Sequence, residues 1–459
     1  MPTPARRTAF EILLRVETQA SYASELLASP MTAGLSLADA ALCTELVLGT
    51  LRWQGTFDFI SQHFARGRWT GFDPEVQVAL RMGLYQLRFL TRMPARAAIY
   101  ETVELVKAAG KRSAAGLVNA VLHHGAEADL ASLRDPAMDE AEWAAIELSH
   151  PSWLLQRWIG QFGHAEAVSL ARANNQPPVT YLRPSRDFEG GVDVDTVDTE
   201  VELAERLRRQ GIQTQPGNFL KQCRAVVHGN ITRTESYRRG EIVLQDEASQ
   251  MVAGLLDVRQ GDRVLDLCAA PGNKTLQLAQ SVGRQGRVVA CDLHLHRLAG
   301  MGSTKKLPHI NLVALDGAEP LPFHASFDRI LVDAPCSGTG TLRRHPEIKW
   351  RLIPSGVQAL AEKQLRLLTS AAEVLSAGGR MVYSTCSLED EENRAVVKNF
   401  LSLRPDFRLL PLRDDASRLR PLFHPSAGWI LEKEFLETSP ARDGADGFFA
   451  AILLKRKPE

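Results

Sequence analysis

The sequence predicts a multidomain chain: an N-terminal all-α bundle, a small α+β linking module, and a C-terminal α/β doubly wound domain. Three observations predict it. Apolar residues recur at helical spacing through residues 1–130, with no β-branched alternation. Residues 177–240 mix short β patterns with one helix. From residue 241 onward strand-like runs alternate with helix-like ones, which implies a mostly parallel sheet. A chain of 459 residues, 44% hydrophobic and 24% charged, has the length for two or three domains and an ordinary globular composition.

The elements follow in order. AFEILLRVETQ reads as an amphipathic helix with Phe10, Leu13, Leu14 and Ala20 on one face. Two more helices follow in DAALCTELVLGTLRWQ, with Asp39 placed to cap it, and in EVQVALRMGLYQLRFL, with Pro74 near its start. A bundle over 1–130 is the natural architecture. Residues 131–160 link onward, with a turn at Asp135-Pro136 and the aromatic helix WLLQRWIGQF after Pro151. The module over 150–240 carries strand patterns in VTYLR and RAVVHG around the helix VELAERLRRQG. In the domain over 241–457, RVLDLCAA, GRVVACDL, NLVALDG, DRILVDAP, GGRMVYSTC and GFFAAILLKRK read as strands, and NKTLQLAQSV as a helix. The segment 421–437 carries no pattern that assigns it a role.

Composition excludes several classes. No run of about 20 apolar residues exists, so no membrane-spanning helix is expected. Glu11, Arg15 and Glu17 interrupt the N-terminal apolar stretch, which rules out a signal-peptide core. The cysteines Cys43, Cys223, Cys268, Cys291, Cys336 and Cys386 form no CxxC pair, so neither a metal site nor a disulfide framework is expected. Free thiols in a cytoplasmic monomer are the expectation.

Charge is balanced at 54 basic against 54 acidic residues, yet unevenly spread. Residues 206–239 hold eight Lys or Arg, including Arg238 and Arg239, against the single acid Glu235. The run RRHPEIKWR places Arg343, Arg344, Lys349 and Arg351 around Glu347. Such stripes can neutralise phosphates in a chain of zero net charge, so Arg238, Arg239, Arg343, Arg344 and Lys349 are candidate nucleic-acid contacts. The competing reading is that charge runs are solvated faces.

Three motifs carry the chemistry. In LDLCAAPGNKT a strand ends in a turn of small residues and a helix follows, which lets backbone approach a ligand closely. Asp292 comes twenty residues after Gly272 at the next strand end, where an acid accepts hydrogen bonds from ribose hydroxyls. Asp316 ends the strand after that. The turn has neither GxGxxG nor GxxxxGK[ST], which argues against a nicotinamide cofactor and a P-loop. The second motif, DAPCSGTG, sets Asp333 and Cys336 on a loop after an apolar strand, and the third, YSTCS, sets Cys386 at another strand end. The acids Glu389 to Glu392 read as charges at the first turn of the following helix.

CAAPGNKT, DAPCSGTG and YSTCS in this order resemble the signature of the RNA cytosine-5 methyltransferases. RRHPEIKW, QDEASQ and DGADGFF extend the resemblance to the bacterial 16S rRNA enzymes of the RsmB/Fmu/Sun group. DAALCTELVLGTLRW, AIYETVELVK and GLVNAVLHH are similar to the NusB-like RNA-binding domain of that group. The resemblance implies a class I, Rossmann-like methyltransferase domain that takes S-adenosylmethionine from Cys268, Ala269, Ala270, Pro271, Gly272, Asn273, Lys274, Asp292, Asp316 and Asp333. It implies 16S ribosomal RNA, or a small-subunit assembly precursor, as partner. It also implies Cys386 as nucleophile, Cys336 in product release and Asp333 at the cytosine. DNA cytosine-5 methyltransferases attack with the cysteine of the PC motif, so Cys336 stays open as the alternative. The family has a glycine where this chain has Asn273. A positive φ is the expected reason for that glycine, and asparagine tolerates it best among the other residues. Two rival readings stand beside this one: the same chemistry on another RNA or rRNA site, and a non-catalytic NusB-like RNA-binding protein.

Overall fold

A computed structural model describes residues 2–65, 69–91, 93–185, 200–302, 307–324 and 326–457. The chain forms two compact units: Met1–Pro177 with Thr341–Leu352, and Pro178–Gly340 with Ile353–Glu459. The sequence division at 150 therefore does not coincide with a change of compact unit.

The first unit is helical, as the apolar spacing predicts. Its longest helices are Pro4–Gln19, Leu37–Arg52 and Pro74–Phe89. Leu46, Val47, Phe57, Ile60, Leu80, Leu84, Val118 and Leu122 build the shared core. Gly49 permits close crossing, because a β-carbon there would collide with the Tyr85 ring. Pro74 opens its helix, where a missing N–H costs nothing. Asp39 is not the cap of the second helix. Ser36 is, its Oγ accepting from Asp39 N at 3.1 Å while donating to Asp39 Oδ2 at 2.7 Å. Ala20 leaves the apolar face of the first helix, ending it at φ 52°. The stretch 131–160, expected as a link, adds the helix Glu140–Glu147 and the expected aromatic helix Ser152–Phe162 to this unit, and His164–Asn174, from the expected module, joins them.

Thr341–Leu352 is built into the same helical unit. Trp350 Nε1 donates to Leu51 O at 2.9 Å, and its ring fills the space that a side chain at Gly55 would need. Arg351 donates to Val16 O and Ser21 O, and Glu347 Oε1 accepts from Ala23 N at 3.0 Å. Lys349 is 1% exposed, donating to Arg52 O at 2.8 Å and Asn175 Oδ1 at 3.3 Å.

The second unit holds two sheets. The small one runs β2-β3-β1-β4 and is antiparallel: β1 is Tyr181–Pro184, β2 Gln213–Pro216, β3 Arg224–His228 and β4 Ile242–Leu244. VTYLR and RAVVHG appear as β1 and β3. The polar edge strand QTQP gave no apolar alternation to read. Part of the expected module, residues 186–199, lies outside the described residues.

The large sheet runs β10-β12-β9-β8-β5-β6-β7. Its strands are β5 Arg263–Asp266, β6 Arg287–Asp292, β7 Ile310–Ala314, β8 Phe327–Asp333, β9 Leu375–Thr385, β10 Phe407–Leu410 and β12 Phe449–Lys455, with the two-residue β11, Leu436–Glu437, paired to β12. β7, β6, β5, β8 and β9 are mutually parallel, and β12 is antiparallel to β9. From β5 the chain winds outward through β6 and β7, then returns to lay β8 on the other side of β5. That reversal opens a crevice at the carboxyl ends of β5 and β8, where ligands bind in doubly wound sheets.

Candidate functional site

The motifs LDLCAAPGNKT, DAPCSGTG and YSTCS all lie at that carboxyl edge. The loop after β5 carries Cys268, Ala269, Ala270, Pro271 and Gly272, then enters the helix Asn273–Val282. Gly272, at φ 105°, holds the left-handed conformation at the helix entry. Asn273 does not: it is a regular first helical residue, which corrects the expectation of a positive φ there. Its Nδ2 instead donates to Leu244 O at 3.2 Å, and its carbonyl accepts from Arg183 at 3.1 Å. The asparagine side chain fastens the loop to β4, and the backbone carbonyl ties it to β1.

Two carboxylates face this loop. Asp292, 4% exposed at the end of β6, accepts from His294 N at 3.0 Å and Ala270 N at 3.3 Å, with Arg297 Nη1 at 3.4 Å. Asp266, which sequence reasoning passed over, ends β5 at 1% exposure. Its Oδ2 accepts from Thr275 at 2.7 Å, while its Oδ1 has no hydrogen-bond partner among the described residues. Burial, with Asp333 and Asp292 nearby, pushes the Asp266 carboxyl up to about 7. The signal that could have found it was the acid of LDLCAAPG itself, an unpaired charge inside an apolar strand. Asp316 stands exposed beyond β7, accepting from Ala318 N. Burial and the same acids hold the Cys268 thiol well above its ordinary range.

Asp333 ends β8 with both oxygens engaged. Lys274 Nζ lies 2.7 Å from Oδ2, and Ser384 Oγ donates to Oδ1 at 2.6 Å. Lys274 is therefore part of the site rather than helix surface, and it also lies over the Phe448 ring at 5.3 Å.

The two motif cysteines meet. Cys336 Sγ and Cys386 Sγ are 3.3 Å apart, and Cys386 N donates to Cys336 Sγ at 3.3 Å. Gly340 N closes the loop by donating to Cys386 O at 2.9 Å. The hydrogen bond with Cys386, then burial, then the Cys386 and Glu392 charges hold the Cys336 thiol well above its usual range.

The basic candidates divide. Arg238 and Arg239 are exposed on the small module, Arg239 pairing with Glu235. Arg344 is half-buried. Arg343, at 5% exposure, and Lys349 lie inside the helical unit, which corrects their reading as phosphate contacts. The acids after Cys386 also depart from expectation: Glu389 and Glu392 are fully buried, and the helix begins only at Arg394. Among the described residues no cluster of metal ligands forms, and no helix is long and apolar enough to cross a membrane.

The family described as 16S rRNA methyltransferase RsmB/F matches residues 253–454, the NusB family matches 3–127, and a ferredoxin-like domain of RsmF/B-like methyltransferases matches 150–227. A probable ribosomal RNA small subunit methyltransferase B of Bacillus subtilis is 33% identical over 462 residues, covering 99% of both chains. The ribosomal RNA small subunit methyltransferase B of Pseudomonas putida is 33% identical over 91% of each chain. The crystal structure of the protein PH0851 shares the fold, with a TM-score of 0.80 at 22% identity over 99% of both chains.

Proposed function

The chain belongs to the RsmB/F family of 16S rRNA methyltransferases, and from that premise we propose that it methylates carbon 5 of a cytosine in small-subunit ribosomal RNA, with Cys386 as covalent nucleophile. The observation that carries this reading is the pair of thiols 3.3 Å apart beside Asp333, at the carboxyl edge of the sheet. S-adenosylmethionine, when bound, supplies an electrophilic methyl group on a sulfonium. The residues fit it. Asp266 Oδ1 is a buried acceptor without a partner, Asp292 stands where ribose hydroxyls are held, and acids surround the place a cation would take.

Carbon 5 of cytosine is a weak nucleophile. Attack of the Cys386 thiolate on carbon 6 forms an S–C bond and places the ring's electron pair on carbon 5. Asp333, fixed by Lys274 and Ser384, is oriented to accept from the cytosine amino group. After methyl transfer, a base from solvent takes the carbon 5 proton, the C–H electrons re-form the C5–C6 double bond, and the S–C bond breaks with its electron pair returning to Cys386 as thiolate. Cys336, held as a thiol 3.3 Å from the leaving sulfur, donates a hydrogen bond to that thiolate and so favours its departure. A paired cytosine must leave its stack to reach the sulfur.

Exchange of each cysteine tests the assignment. Cys386→Ala should abolish methyl transfer and the covalent RNA adduct. Cys336→Ala should accumulate the adduct as a slow band on a denaturing gel. Loss of the adduct in Cys336→Ala, with retention in Cys386→Ala, reverses the roles. The noncatalytic reading predicts no transfer of labelled methyl to RNA by the intact protein.

A further inference from the structure

Glu392 lies on the short turn Asp390–Glu392, just before the helix Arg394–Leu403. It is 0% exposed. Its Oε1 accepts from Ser337 N at 2.9 Å and from Gln364 Nε2 at 2.9 Å, and its Oε2 accepts from Ser387 Oγ at 2.5 Å. Ser337 follows Cys336 and Ser387 follows Cys386. One carboxylate thus holds the residue after each reactive sulfur.

The surroundings strengthen the same link. Ser337 Oγ and Ser387 Oγ are 2.9 Å apart, and Gln364 Nε2 also donates to Pro335 O at 3.0 Å. Tyr383 OH shares its one hydrogen between Glu392 O and Gln364 Oε1, the latter at 3.0 Å. No cation faces Glu392 among the described residues: its partners are an amide, a hydroxyl and a backbone N–H. Burying a carboxylate without a counter-ion is costly unless donors satisfy it, and here three do. Removing the carboxylate leaves Ser337 N buried without a partner, strips Gln364 and Ser387 of one acceptor each, and loosens the link between the two loops.

We propose that Glu392 is a positioning residue of the thiol pair, clamping the Cys336 loop to the Cys386 loop and so fixing the separation of the two sulfurs. Its carboxylate oxygens are bonded to Ser337, Gln364 and Ser387 rather than to either sulfur. This inference rests on the reading of Cys386 and Cys336 as the working pair.

The experiment has two arms, both on the full-length protein. In the first, diamide oxidises Cys336 and Cys386 to a disulfide. The two thiols lose two electrons and two protons, diamide becomes its hydrazine, and mass spectrometry follows the rate. In the second, single-turnover adduct formation on a small-subunit rRNA transcript is compared with the dissociation constant of S-adenosylmethionine. Glu392→Ala should slow disulfide and adduct formation by at least tenfold and leave the cofactor constant within twofold. Glu392→Gln keeps an oxygen for Ser337 N and should fall between, at least threefold below wild type. Should Glu392→Ala fail to fold, the Glu392→Gln ratio decides alone. Wild-type rates in both arms for the folded variants overturn the proposal. The first arm needs no RNA, so a wild-type protein that forms the disulfide rapidly but no RNA adduct overturns the cytosine reading instead.

Discussion

Two basic runs that look alike in the sequence have opposite fates in the fold. Arg238 and Arg239 end the run on the small module and stand in solvent, one of them paired with the neighbouring Glu235. Lys349, from RRHPEIKW, is buried among helices with its nitrogen on two oxygens. Burial, followed by the Arg52 charge, holds the Lys349 amine well below the ordinary lysine range. What separates the runs is the company each keeps. Pro346, Ile348 and Trp350 alternate with the charges of the second run, and Lys349 and Trp350 both donate to carbonyls at the end of the helix Leu37–Arg52.

The sharpest break of this comparison is Lys349→Glu. It sets an acceptor-only carboxylate against two acceptor oxygens in a dry site, costing about 3–5 kcal/mol. Calorimetry should show the melting of the helical unit fall by roughly 10 °C. An unchanged melting temperature with weakened RNA binding would place Lys349 at a phosphate after all. The same burial matters for deletion experiments. Removing residues 1–130 uncovers the bed of Trp350 and Lys349, so a loss of RNA affinity in that truncation confounds binding with unfolding.

A smaller effect is expected at the exposed run. Arg238→Ala with Arg239→Ala should weaken binding of a small-subunit rRNA transcript by about 1–2 kcal/mol at low salt, and should flatten the slope of log affinity against log salt by about 1.5–2. Stability should stay within about 0.5 kcal/mol of wild type, since both side chains are in solvent. An unchanged salt slope measured by filter binding removes these arginines from the RNA interface.

The fold was legible where periodicity is strong. The helical spacing of residues 1–130 and the apolar strands of the βαβ region map onto the elements observed, including the C-terminal strand that became β12. Edges were not legible: β2 is polar and β4 three residues long, so neither carries an alternation. The cap of Leu37–Arg52 was misplaced because Ser36 and Asp39 are both good caps, and only the hydrogen bond tells which precedes the helix. Cys336, Cys386 and Asp333 were legible as strand-end residues, but their convergence needs the β8–β9 pairing. Glu392 was not legible. Among four consecutive acids, nothing in composition marks the one that turns inward to meet Ser337 and Ser387.

Asp266 extends the comparison to an acid, a buried charge with one oxygen left over. Its carboxyl rises from the ordinary range to about 7, by burial first, with Asp333 and Asp292 raising it and Thr275 and Lys274 opposing. Between those limits the folded protein holds a proton that the unfolded chain has lost. The stability of the unliganded protein should therefore fall as pH rises through that window. Binding of a sulfonium cofactor runs the other way, because the ionised carboxylate attracts the cation and its free oxygen accepts from it. Titration calorimetry should show S-adenosylmethionine binding tighten by about tenfold from pH 6 to pH 8, the span over which a group titrating near 7 ionises. Asp266→Asn should bind at the weak level throughout and lose the slope. A slope that survives in Asp266→Asn removes Asp266 as its source and leaves that carboxyl holding only Thr275.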